Sequence, residues 1–142
     1  MSPALKFLIG LAAVAGMTWL HHGPLGNGAA LVDRLESNTR QAVAASELPG
    51  IDVRLGRDPL SRFATLSGTA NSFQREGQGN LKGINDYVTE VEGISGSRWT
   101  DEPEETVIPL LAETLILTFA AYLLGLGLAW LLWGRPKREG FY

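Results

Sequence analysis

The sequence has no cysteine and only two histidines, adjacent at His21 and His22. Absent thiols exclude a disulfide framework, thiolate metal sites and cysteine nucleophiles, and leave the redox compartment open. A metal site needs three or four convergent ligands; with one histidine pair only nearby carboxylates could complete it, so no metal is expected. No nucleophile-and-base motif appears, and no glycine loop joins a strand to a helix with phosphate-binding spacing. Gly77, Gly79 and Gly83 fit no such pattern. Nothing in the chain points to an enzyme, and no cofactor is expected.

Charge is also scarce, but only in two stretches. Val107 to Trp133 carries Glu113 as its one ionisable residue, and Pro3 to Leu20 carries only Lys6. At 1.5 Å per residue the first of these, 27 residues, extends roughly 40 Å against a hydrocarbon core of roughly 30 Å, so it crosses a membrane with tilt to spare. Pro109 is expected in its first turn, where a missing N–H costs little, with Trp130 and Trp133 at its far end as interface anchors. The N-terminal stretch is just long enough to span, with Trp19 as its anchor. It also has the parts of a signal peptide: Lys6, the apolar Phe7 to Val14 and a small-residue site at Ala13-Val14-Ala15. Apolar character continuing to Trp19 and Leu20 favours an uncleaved anchor.

Positive charge sets the expected orientation. Arg135, Lys137 and Arg138 follow the second span and Lys6 lies in the first, whereas residues 21–106 hold eight Lys and Arg against thirteen Asp and Glu. By the positive-inside rule both termini are cytoplasmic and the middle faces the other side, in a bacterium the periplasm across the inner membrane. The acidity of that middle opposes nucleic-acid binding and disfavours direct docking on anionic lipid. The expected organisation is a first span over 1–22, a joint over 23–28, a soluble domain over 29–100, an acidic linker over 101–106, a second span over 107–133 and a basic cytoplasmic tail over 134–142.

Within the domain, Leu31, Leu35, Thr39, Ala42 and Val43 recur at helical spacing, with Asp33, Arg34, Glu36 and Arg40 on the opposite face. Ile51 to Leu55 alternates as a half-buried strand, Gly56-Arg57-Asp58-Pro59 reads as a turn, and Phe63 to Ser67 as the antiparallel partner strand. Asn71 or Ser72 caps a second helix through Phe73, Leu81, Ile84, Val88 and Val91. Glycines at 77, 79 and 83 predict a break, with firm helix from about Leu81. Ile94 to Trp99 completes the expected fold: α+β, a small αββαβ domain with a three-stranded sheet, flanked by two transmembrane helices.

These elements resemble the BON domain of bacterial envelope proteins. Leu66-Ser67-Gly68 matches the family's element closing the second strand, and Val91-Glu92-Gly93-Ile94 matches the one joining the second helix to the third strand. The resemblance covers about 70 residues, half the chain, and departs from the family at Gly77 to Gly83, where a continuous helix is usual. It implies a periplasmic, non-catalytic domain that binds phospholipid surfaces or protein partners.

Glu113 stands about 9 Å inside the expected second span, where a carboxylate is costly unless it reaches the interface, is neutral or meets a donor on a partner helix. On the same helix Ala121, Gly125 and Ala129 recur every fourth residue, continued upward by Thr114 and Thr118. Small residues in such a row let helices approach closely, with Ala12 and Gly16 of the first span as a counterpart. Two functions follow as expectations. One is a non-catalytic accessory subunit of an inner-membrane complex, with photosynthetic and respiratory assemblies as analogues. It would dock on other integral membrane subunits within the bilayer, with lipid or pigment at helix interfaces left open. The alternative is an independent envelope protein whose BON-like domain binds phospholipid or periplasmic partners.

Overall fold

The protein is described from a computed structural model covering residues 2–134. The basic residues Arg135, Lys137 and Arg138 lie outside the described residues. Among the described residues the elements follow in order: α1 (Pro3–His22), α2 (Asn27–Ala44), β1 (Asp52–Arg57), β2 (Leu60–Ser67), α3 (Ser72–Glu76), β3 (Gly77–Gln78), β4 (Leu81–Lys82), α4 (Ile84–Thr89), β5 (Gly96–Trp99) and α5 (Leu110–Trp133). The architecture is mixed α and β, with a three-stranded sheet between two long apolar terminal helices. Both α1 and α5 are long and apolar enough to cross a membrane.

The sheet runs β1-β2-β5. β1 and β2 form the expected antiparallel hairpin, while β5 lies parallel to β2, with Leu66 opposite Trp99 and Ala64 opposite Ser97. Alternation puts Val53, Leu55, Ala64, Leu66 and Trp99 on one face, which α2 and α4 cover with Val32, Leu35, Val43, Ile84 and Val88. The buried stripe of α2 is Val32, Leu35, Glu36, Thr39 and Val43. Val32 replaces Leu31, which is exposed, and Glu36 belongs to the stripe rather than to the solvent face.

The expected second helix is divided. Asn71 and Gln74 form a reciprocal capping box for α3, and the chain then turns through the short hairpin β3–β4 before α4 begins at Ile84. Leu81 sits in β4, exposed, not in a helix. The glycines are needed here because two backbones touch: a Cβ on Gly77 would stand 2.3 Å from the Leu81 carbonyl oxygen, and one on Gly83 2.3 Å from the Gly77 nitrogen.

Both joints to the terminal helices are tighter than expected. The joint after α1 shrinks to residues 23–26, closed by Gly23 N–H donating to Trp19 O and Leu25 N–H to Leu20 O, with Gly26 at φ +73 capping α2. Pro109 is the N-cap of α5 rather than a residue of its first turn, so the helix begins three residues later than expected. Leu110, its first residue, is only 3% exposed and belongs to the core of the central domain.

Candidate functional site

One group of polar contacts lies where the domain meets α5. Arg62 lies on β2 in phase with Ala64 and Leu66, so alternation points it to the covered side of the sheet. There its Nε donates to Glu113 Oε2 at 2.7 Å and its Nη1 to the Gly93 carbonyl at 2.7 Å. Gly93 has φ +100, and a Cβ on it would stand 2.9 Å from Leu35 Cδ2, so glycine is needed where this carbonyl turns toward the arginine. Glu113 occupies the first turn of α5. The donor it meets within this chain is Arg62 of the chain's own sheet.

A second ionic group holds α2 to β1. Glu36 Oε2 accepts from Leu55 N–H at 3.1 Å and from Arg57 Nη2 at 2.9 Å, its Oε1 pairs with Arg40 at 2.8 Å, and Arg40 Nε donates to Val53 O at 3.0 Å. Arg57 also pairs with Asp33. Hydrogen bonds that Arg57 donates to Asp33 and then to Glu36 raise its pKa above the ordinary value. At the far edge of the sheet, Arg75 stacks on the Trp99 ring at 4.2 Å and pairs with Asp101 at 2.8 Å. That hydrogen bond holds the Asp101 carboxyl below the usual carboxylate range. The acidic stretch after β5 is therefore partly pinned: Glu102 also accepts from Trp99 N–H at 2.8 Å.

The apolar helices meet through small and hydroxylated residues. Thr18 and Thr118 hydroxyls lie 3.2 Å apart, Tyr122 OH donates to Phe7 O at 3.1 Å, and the Phe7 and Tyr122 rings stack at 5.8 Å. A Cβ on Gly10 would strike Tyr122. Of the expected packing row, Thr114 and Thr118 fall in partly buried positions, whereas Ala121, Gly125 and Ala129 are exposed. Ala12 and Gly16 are exposed as well, and nothing lies within 4 Å of a Cβ on Gly16. Gly10, not Ala12 or Gly16, is the close-approach residue of α1, because the bulky partner Tyr122 needs room there. Trp19, Trp130 and Trp133 are all exposed, at the ends of the two helices. Thr18→Cys with Thr118→Cys should therefore cross-link on oxidation in a chain that has no other thiol. Adding Gly10→Leu slows that cross-link several-fold by pushing the helices apart; an unchanged rate rules out the Gly10–Tyr122 contact as what sets the spacing.

The fold-motif residues sit at structural positions. Leu66 is fully buried, Gly68 and Gly93 have positive φ, and Ile94 packs against the core while Val91 is half-buried. His21 is tied to Asn27, whose Nδ2 contacts His21 O at 3.2 Å and Nδ1 at 3.3 Å. Among the described residues no three His, Asp or Glu side chains converge as a metal site. Three features escaped the reading of the sequence: Arg62, Tyr122 and the burial of Glu36. The first and third had a signal, since each is a charge lying in phase with a buried stripe. Comparison with known protein families, with curated proteins and with solved structures finds no match to the chain.

Proposed function

We propose that the chain is a non-catalytic accessory or structural subunit of a bacterial inner-membrane complex. Its two helices span the bilayer with both ends cytoplasmic, and its BON-like domain braces the assembly from the periplasmic side. The observation that carries this reading is the unequal use of α5. Its first half is shared with α1 and the domain core, but every residue from Leu123 to Trp133 is exposed. That half presents Gly125 and Gly127 with nothing within 4 Å of a Cβ on either. Together with Ala121 and Ala129, Gly125 offers another membrane helix a face for close backbone approach. The tight joints support the bracing role. With Leu110 in the domain core and Arg62 holding Glu113, a helix docked in a complex carries the domain with it in one orientation.

Mass-spectrometric identification of what co-purifies after mild detergent extraction tests this. A constant set of integral membrane subunits at fixed stoichiometry is expected, with photosynthetic and respiratory assemblies as the analogues. Gly125→Leu should release the chain from them while leaving the Thr18→Cys and Thr118→Cys cross-link intact. A protein that runs alone or as a homo-oligomer overturns the subunit reading in favour of an independent envelope protein.

A further inference from the structure

Where α1 turns into α2, the elbow and the first turns of α5 line an open groove of about 360 Å³. Its walls are Met17 from α1, Leu31 from α2 and Leu110 from α5, and Thr114 and Thr118 extend it along α5. The hydroxyls of both threonines are satisfied by carbonyls of their own helix, from Leu110, Leu111, Thr114 and Leu115. They therefore make no polar demand on whatever fills the groove. Polar groups are concentrated at the other end, where His21, His22 and Asn27 line the elbow. One end is apolar and the other bears imidazoles and an amide, which is the polarity of an amphiphile.

We propose that this groove binds one phospholipid from the leaflet on the soluble domain's side. An acyl chain lies along Thr114 and Thr118, and the acceptor-rich head group, phosphate or ester carbonyl, meets His21, His22 and Asn27. The inference rests on the reading that α1 and α5 cross the membrane. The groove is continuous with the surface that reading gives to lipid: Met17 in its wall is 65% exposed, and Leu25 on the elbow is 60% exposed. Size selects the occupant. The volume is more than ten times the roughly 30 Å³ share of one water and falls within the range of roughly 300–1,000 Å³ typical of small-molecule sites. A polypeptide at this depth must enter as a helix, because its backbone groups have no water to bond. A helix about 10 Å across meets the groove only along its rim, whereas one extended acyl chain is narrow enough to lie within it.

The test uses the full chain in nanodiscs of phosphatidylethanolamine and phosphatidylglycerol, each in turn doped with the same lipid carrying a diazirine in mid-chain, with adducts located by peptide mass spectrometry. Adducts at Met17, Leu31 and Leu110 should exceed those at Leu124 and Leu131, on the open half of α5, by about fivefold or more in at least one lipid. Thr114→Trp fills the groove, and Leu31→Asp puts a charge at a position already 39% exposed. Both should abolish the excess while labelling at Leu124 persists. Uniform labelling of groove and open helix, or an excess that survives both variants, overturns the site and leaves only annular lipid. Absence of adducts at Leu124 and Leu131 as well removes the membrane reading on which the proposal stands.

Discussion

Arg62→Met should loosen the central domain from α5 and destabilise the junction by about 2 kcal/mol, the cost of leaving a largely desolvated carboxylate without its partner. The Arg62 and Glu113 side chains are 31% and 19% exposed, so the effect stays below the cost of breaking a fully buried pair. Glu113→Leu should cost a similar amount, because it leaves the guanidinium held by the Gly93 carbonyl alone. The two changes together should cost clearly less than their sum, since replacing both partners by apolar groups removes the unpaired charge that makes each single change expensive. Hydrogen exchange of the full chain in mild detergent reads this locally. The amides of residues 93–95 and of the first exposed turn of α5 should exchange faster in each single variant and recover in the double. Strict additivity, or exchange unchanged in the single variants, would mean that the pair does not couple the sheet to the helix.

The same pair shows what the sequence made legible. Glu113 is conspicuous as the one charge in an apolar run, and a run counted from Val107 leaves it to reach the interface, stay neutral or meet a donor on a partner helix. That placed the carboxylate about 9 Å deep. Helix geometry begins at Leu110 instead, because Pro109 adopts an extended cap and Leu110 is drawn into the domain core. Glu113 is thereby in the first turn, within reach of the sheet. Arg62 carried its own signal, a charge in the inward phase of a strand, that strict attention to period two would have found. The hairpin β1–β2 and the third strand were readable from alternation and turn residues. The parallel pairing of β5 was not, since it depends on where the α3–α4 crossover delivers the chain. Nor could the β3–β4 hairpin be read beyond a break at the glycines, because what makes Gly77 and Gly83 necessary is their contact with each other across that turn.

Glu36 makes the second strong prediction, again from a charge inside a buried stripe. β1 is an edge strand, and its outward-facing backbone groups would otherwise be open to pairing with another chain. Instead Glu36 accepts the Leu55 N–H and Arg40 donates to the Val53 carbonyl, so α2 closes that edge with side chains. Glu36→Ala strips three donors of one acceptor: the Leu55 amide, Arg57 and Arg40. A loss of roughly 1–3 kcal/mol in domain stability is expected, chiefly from the unsatisfied Leu55 amide, since Arg57 keeps Asp33 and Arg40 keeps the Val53 carbonyl, measured by urea unfolding in detergent. Glu36→Gln keeps a neutral acceptor for the Leu55 amide and should cost about half as much. Self-association should separate the two variants further. With the edge reopened, the alanine variant should form concentration-dependent oligomers that the glutamine variant does not, because only in the former is the Leu55 N–H free to bond another strand. Equal losses in both variants would assign the effect to charge alone, and a loss under about 0.5 kcal/mol for alanine would show that water at the edge serves as well as the carboxylate.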